Sequence, residues 1–356
     1  MEILADFPLA RLCTLEVGGA AQYFAVAQSE SDVEDALHFA SDQGLPTTIL
    51  GGGSNVVIND AGVPGLVLRL ALLGREVQAT SNTVEVQVGA GEPWDDFVGW
   101  TVTRGLAGVE CLSGIPGTAG ATPIQNVGAY GQDVSSTVKR VRAFDRIEER
   151  WLDLPDTECG FAYRNSVFKT TALGRYVVTA VTFRLTPDGA PLLKYEELTR
   201  ALAGTRSPSL PLVRSTVIAL RAQKSMVLAA QDPNRRSCGS FFLNPAVTAA
   251  QLEHIHAADP AKPPAFTQPD GSFKVPAAWL IEHAGFSKGF SQGPVGLSTR
   301  HALALVAHDG ATASDVVAFA HTIQSGVRDK FQVTLTPEPV FLGFAQFEAG
   351  LPVLDG

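Results

Sequence analysis

The chain has 356 residues, 45% of them hydrophobic and 18% charged, and a formal net charge of −9 at pH 7. That length is more than one ordinary core and suits two or three domains. The composition excludes a disordered chain, and the acidic balance speaks against a nucleic-acid partner. Residues 1–12 carry Glu2 and Asp6 and no apolar run of signal-peptide type. No stretch approaches the ~20 apolar residues of a membrane helix, so no membrane insertion is expected. Cys13, Cys111, Cys159 and Cys238 are scattered without a C-x-x-C pair, so neither a metal site nor a disulfide framework is expected. A reducing, cytoplasmic setting fits that usage.

In chain order, the spacing predicts a helix over 31–43. Ser31 and Glu34 read as its capping box, Val33, Ala36, Leu37 and Ala40 as its apolar stripe, and Gly44 as its stop. Thr47–Leu50 reads as a strand running into Gly51-Gly52-Gly53-Ser54-Asn55, and Val56–Ile58 is strand-like. Residues 65–70 and 83–89 read as strands, and 92–104 as a helix with Pro93 in its first turn. Val138–Asp145 and 176–185 alternate as strands, and 186–191 reads as a turn and a domain boundary. Residues 213–224, 275–284 and Ala313–Phe331 read as helices, with a strand at 302–308 before the last. The whole is α+β: a first half with glycine loops, then a second half with polar residues.

Two glycine-rich stretches carry the strongest signal. Residues 113–132 hold five glycines, three alanines, two prolines and no charge. Such a stretch gives up side-chain packing so that backbone N–H groups can lie against something large. Pro116 and Pro123 stiffen it, and Gln125, Asn126 and Tyr130 offer hydrogen bonds. The 51–55 loop follows a strand and adds a hydroxyl and an amide. It is no Walker loop, because no Gly-Lys-Ser/Thr follows, and no dinucleotide fingerprint, because 56–58 is strand-like. Together the loops point to a bulky phosphorylated cofactor.

Gly51-Gly52-Gly53-Ser54-Asn55 paired with Ile115-Pro116-Gly117-Thr118-Ala119-Gly120-Ala121-Thr122-Pro123-Ile124-Gln125-Asn126-Val127-Gly128-Ala129-Tyr130-Gly131-Gln132 resembles the UDP-N-acetylenolpyruvoylglucosamine reductases, the MurB family, in their type I form. The likeness extends through Tyr163-Arg164-Asn165-Ser166, Gly239-Ser240-Phe241-Phe242-Leu243-Asn244-Pro245, Ala277-Ala278-Trp279-Leu280-Ile281-Glu282 and Pro337-Glu338-Pro339. It implies a vanillyl-alcohol-oxidase/PCMH-type FAD-binding domain over 1–190, with subdomains of about 1–72 and 73–190. A smaller α+β substrate domain would cover 191–335, and 336–356 would return to the cleft with the catalytic Glu.

The resemblance further implies noncovalent FAD, NADPH as reductant and UDP-N-acetylglucosamine enolpyruvate as substrate, in a cytoplasmic protein expected to be a monomer. Gly51, Gly52, Gly53, Ser54 and Asn55 would hold the FAD diphosphate. Ile115, Pro116, Gly117, Thr118, Gly120, Ala121, Gln125, Asn126, Gly128 and Tyr130 would wrap the ribityl chain and the ring. Hydride would pass from flavin N5 to the enolpyruvyl β carbon. Ser240 would protonate the α carbon, with Arg164 and Glu338 stabilising the enolate. A carboxyl in that role helps only if protonated or hydrogen-bonded, so a raised Glu338 pKa is expected. A serine hydroxyl is a poor acid alone, so a neighbour or a water chain should polarise Ser240. Arg221 and Lys224, three apart on one helical face, would neutralise the substrate diphosphate, with Tyr195 closing over the UDP and Asn244 near the uracil. Tyr195-Glu196 departs from the family's Tyr-Gly. Asp133 and Ala307 stand where the family has Glu and Asn, and 229–236 reads as an insertion. Cys238 reads as a small buried residue. An FAD alcohol oxidase of the same fold is disfavoured because none of the seven histidines lies in either glycine loop. A non-catalytic flavin-binding protein is disfavoured by Arg164, Ser240 and Glu338 together.

Overall fold

The computed structural model describes residues 1–80 and 82–354. These divide into two compact units: Met1–Ala5, Tyr23–Gly52 and Gly65–Leu228 form the first, and Asp6–Gln22, Gly53–Pro64 and the chain from Ala229 form the second. The division falls inside the first glycine loop, after Gly52. Residues 191–228, expected with the substrate domain, lie in the first unit.

The first unit is built on an antiparallel sheet with strand order Arg150–Pro155, Val138–Asp145, Tyr176–Pro187, Val84–Gly89, Arg75–Ala79. The central strand is rich in β-branched residues, which suit a buried pleated surface. It outruns the expected 176–185 because Thr186 and Pro187 pair with Ala107 and Leu106. The turn therefore begins at Asp188, which takes φ +49.

Helix α1 (Glu30–Asp42) is capped by Ser29 and Asp32, not by Ser31 and Glu34. A cap residue must stand outside the helix with extended backbone. Ser29 does so at φ −142, whereas Ser31 already lies in the first turn. Val33, Ala36 and Ala40 pack on Leu66, Leu68 and Leu70, and Gly44 turns the chain at φ +63. Helix α2 (Trp94–Thr103) starts two residues later than expected, because the Glu92 carbonyl accepts the Ala119 N–H of the second glycine stretch at 2.9 Å. Trp94, Phe97, Val98 and Val102 pack on Val86, Val88 and Phe183. Phe97 and Phe183 rings lie 5.2 Å apart. Phe97→Ala should therefore cost about 3–5 kcal/mol, read as a lowered denaturant midpoint. A midpoint within experimental error of the parent would show that the site closes around the gap.

Helices α3 (Glu196–Ala201) and α4 (Leu210–Gln223) complete this unit, packing Leu198, Val213 and Val217 with Cys111 and Tyr130. Helix α4 begins three residues before its expected start because Ser209 caps it and Pro211 fits its first turn.

The second unit contains α5 (Ala249–Ala258), α6 (Ala277–His283) and α7 (Ala313–Phe331). Helix α7 is capped by Thr312 and Asp315, and Asp60 also accepts its first two N–H groups at 2.7 and 2.8 Å. Ser291–Gln292, Val295–Leu297 and Leu305–Ala307 form a small antiparallel sheet, so the strand expected at 302–308 narrows to three residues. Val56–Ile58 pairs in parallel with Val340–Leu342. Among the described residues, no helix is long and apolar enough to cross a membrane.

Candidate functional site

In the first unit the two glycine stretches lie backbone to backbone. A Cβ on Gly52 would stand 2.7 Å from the Gly117 Cα, and one on Gly51 3.0 Å from Thr118 Oγ1. The second stretch is sewn to the strand-to-helix connection before α2. Gly120 donates to Ala90 O, Ala119 to Glu92 O, and Trp94 to Gly117 O, at 2.9 to 3.0 Å. Among the described residues, the N–H groups of Gly51, Gly52, Gly117 and Thr118 find no acceptor. Half-buried backbone donors without acceptors suit an anion, and these fit the phosphates of a nucleotide cofactor.

The rest of the second stretch is not one open loop. Ala119–Ala121 is a 3-10 turn, and Gly128–Ala129 pairs with Gln132–Asp133 across Tyr130 and Gly131, both at positive φ. Ile115 packs against the core. Asn126, expected to bond a cofactor, spends its side chain on the chain itself: Nδ2 donates to Ala162 O and Oδ1 accepts from Ser135 N. Arg164 reaches the same segment, its Nη2 donating to Gly128 O at 2.6 Å. Its φ is +52.

Tyr130 is where the expected cofactor and substrate residues meet. Its ring contacts Tyr195 edge-on at 5.4 Å between centroids, and Lys224 Nζ lies 5.9 Å from its centre. Burial pushes the Tyr130 hydroxyl up to about 12. The Arg221 guanidinium is drawn inward. Nη2 donates to Met226 O at 2.6 Å, while Nε is shielded from solvent with no partner. Burial pulls its pKa down to about 10, opposed by Tyr130 and Asp95 and aided by Arg164, so it stays charged at neutral pH. A buried guanidinium with an orphan donor is costly unless an anion meets it. Lys224 caps the end of α4 and pairs with Glu197 at 2.6 Å.

Asp95 was not legible as a site residue, yet it holds the entrance to the second stretch. Its carboxylate accepts from Gly114 N at 2.6 Å and from both terminal nitrogens of Arg214, which ties α2 to α4. Burial pushes the Asp95 carboxyl up, but the Arg214 guanidinium and the Gly114 N–H outweigh it and leave its pKa below the ordinary value. A depressed carboxylate adds stability above its unfolded pKa of about 3.9, which is lost as pH falls through the folded value. Asp95→Asn should therefore be less stable than the parent at pH 7, and the gap should close as pH falls below the ordinary carboxylate range and the Asp95 carboxylate takes up its proton. A gap that stays constant across that range would refute the charge contribution. The buried Glu110–Gln132 pair was also missed. Glu110 accepts from Gly108, Leu192 and Gln132, and Gln132 accepts from Cys111 N. A lone acid inside the apolar run 106–112 was the available signal.

The second unit brings two expected catalytic residues together. Phe242 bridges Pro337 in antiparallel fashion, Leu243 N donates to Thr336 O, and Glu338 N donates to Phe241 O at 2.8 Å. That register sets Glu338 opposite the residue following Ser240. Gly239 precedes Ser240 at φ +77, a turn that favours glycine. Among the described residues, no side chain hydrogen-bonds the Ser240 hydroxyl. The Cys238 thiol is buried, and burial, then Glu338 and Cys13, push its pKa up, which keeps it protonated and unreactive. Asn244 Oδ1 accepts the Ala277 N–H at the start of α6. Gly53 is pressed against Leu12, whose carbonyl oxygen lies 1.8 Å from a Cβ built there. Asn55 donates from Nδ2 to Glu338 O at 3.4 Å. Among the described residues, no cluster of His, Cys, Asp and Glu could hold a metal.

A family profile described as an FAD binding domain matches residues 21–149, and one for the C-terminal domain of UDP-N-acetylenolpyruvoylglucosamine reductase matches 231–342. The reductase of that name from Streptomyces avermitilis is 47% identical over 96% of this chain and 95% of its own length. That of Thermobifida fusca is 44% identical over 95% and 97%. The crystal structure of the Thermus caldophilus enzyme (MurB) superposes with a TM-score of 0.67 at 23% identity, covering 96% of this chain and 98% of that one, which shows a shared fold. The chain belongs to the UDP-N-acetylenolpyruvoylglucosamine reductase family.

Proposed function

We propose that this chain reduces UDP-N-acetylglucosamine enolpyruvate to UDP-N-acetylmuramate, an NADPH-driven, FAD-dependent step of peptidoglycan precursor synthesis. Family membership and the FAD-domain match support the reaction. Bound FAD supplies the hydride. The Gly51, Gly52, Gly117 and Thr118 N–H groups would hold its diphosphate. Hydride addition at the enolpyruvyl β carbon builds negative charge on the α carbon and its carboxylate, and preorganised donors there lower the barrier. Arg164 stays charged throughout and suits a carboxylate. Glu338 stabilises the enolate, and Ser240 Oγ gives its proton to the α carbon. One observation carries these roles: the Phe241–Glu338 hydrogen bond that sets the segments of the acid and the carboxylate side by side.

Arg221, Lys224 and Tyr195 would grip the UDP diphosphate, with the orphan Arg221 Nε as the donor awaiting an anion. Asn244 would turn Nδ2 to the uracil, since its oxygen is engaged by α6. On this reading 1–190 binds FAD, 191–335 binds substrate, and 336–356 returns Glu338 to the site. Four buried free thiols fit a reducing, cytoplasmic setting. Purified protein should carry noncovalent flavin absorbance and oxidise NADPH only when UDP-N-acetylglucosamine enolpyruvate is present. Colourless protein without substrate-dependent turnover would overturn the proposal.

A further inference from the structure

Glu338 is held by its backbone from two sides. Its N–H donates to Phe241 O at 2.8 Å, and its carbonyl accepts from Asn55 Nδ2 at 3.4 Å. Two residues on, Val340 N donates to the Asn55 carbonyl at 3.0 Å, which opens the parallel ladder of Val56–Ile58 with Val340–Leu342. The ladder closes where Asn59 N donates to Leu342 O at 2.9 Å. Pro337 and Pro339 flank Glu338 and lack N–H groups, so the backbone donors nearest the carboxylate-bearing residue are those of Glu338 and Val340, and the carbonyls supply the remaining anchors. Asn55 engages that segment on both sides of Pro339, with its side chain before and its backbone after.

We infer that Asn55 is a positioning residue for Glu338: it sets where the Glu338 carboxylate stands by clamping the backbone on both sides of Pro339. This goes beyond the contact with a cofactor diphosphate that its place in the glycine loop suggests, and it rests on the proposed role of Glu338. The carbonyl and the side chain leave the same Cα, so a loosened carbonyl lets the carboxylate drift. A misplacement of about 1 Å at a reacting centre can slow chemistry about 100-fold. The effect should fall on the half-reaction that needs Glu338, the oxidation of reduced holoenzyme by the enol ether. Reduction of the flavin by NADPH needs no carboxylate there and should be spared.

The test is a double-mutant cycle in stopped flow on holoenzyme: Asn55→Ala, Glu338→Gln and the pair, with flavin content measured for each. Asn55→Ala should slow reoxidation by the enol ether about tenfold per bound flavin and slow NADPH reduction per bound flavin by less than about twofold. In the Glu338→Gln background it should add less than about twofold, because the group it positions is gone. Asn55→Asp keeps the shape and loses the donor, so it should follow Asn55→Ala; it also serves if the alanine variant does not fold. Equal slowing in both backgrounds, or equal slowing of both half-reactions per bound flavin, would overturn the inference and leave Asn55 a cofactor or structural residue. Reoxidation unchanged in Glu338→Gln alone would instead remove the role of Glu338, and the inference with it.

Discussion

Ser240→Ala should leave NADPH reduction of the bound flavin within about twofold of the parent and slow its reoxidation by UDP-N-acetylglucosamine enolpyruvate by about 10²–10⁴-fold, the usual worth of a positioned proton donor. The asymmetry is the point. Hydride transfer into the flavin moves no proton to substrate carbon, so a proton donor to the α carbon is idle in that half-reaction. It is needed only when the enolate must be quenched. The site supports this split. Ser240 follows a left-handed glycine, stands beside the Glu338 segment and makes no hydrogen bond to any described side chain. Among the described residues, its hydroxyl is not committed to another protein group. Ser240→Cys keeps a transferable proton at a longer, softer atom and should fall between parent and alanine. Single-turnover stopped flow of each half-reaction decides the matter. Equal loss in both, or deuterium in solvent exerting the same effect on reoxidation of parent and alanine variant, would remove Ser240 as the donor.

What the sequence disclosed and what it hid divide by range. Ala313–Phe331 was legible to the residue because its signals are local: a Thr312–Asp315 box in front and an apolar stripe within. The start of α1 was misread because Ser29-Glu30-Ser31-Asp32-Val33-Glu34 holds two overlapping boxes, and only backbone dihedrals choose between them. The extra length of the Tyr176–Pro187 strand depends on its pairing with Leu106 and Ala107, far outside the roughly 11–18-residue window over which local pattern is read. The same holds at the site. Asn55 reads as a phosphate ligand within its own loop, and its bond to Glu338 spans 283 positions. Arg214 reads as one more cation on a helix, yet its partner Asp95 lies 119 positions back and fixes Gly114 as well. The glycines were seen as a place where backbone meets cofactor. Several serve first to let backbone meet backbone.

That last distinction gives a graded test. Gly52→Ala should produce folded protein that loses flavin, with FAD affinity down by at least about 100-fold, while Gly51→Ala should lose less than about tenfold. A methyl on Gly52 would meet Gly117 Cα at 2.7 Å and Gly117 C at 3.0 Å, both main chain, so relief requires the two loops to part. A methyl on Gly51 would meet Thr118 Oγ1 at 3.0 Å and Ala121 Cβ at 3.5 Å, and a hydroxyl can rotate away. The loops carry the Gly51, Gly52, Gly117 and Thr118 donors, and hydrogen bonds to a charged phosphate are each worth about 1.5–3 kcal/mol. Losing two of them by separation accounts for about 100-fold or more. The backbone sewing of Ala119 and Gly120 to Glu92 and Ala90 limits how far the second stretch can retreat, so the strain concentrates on the first loop. Flavin titration by fluorescence quenching, with far-UV circular dichroism to confirm folding, reads both variants. If Gly52→Ala binds FAD as tightly as Gly51→Ala, the paired loops are a packing device and the diphosphate is held elsewhere.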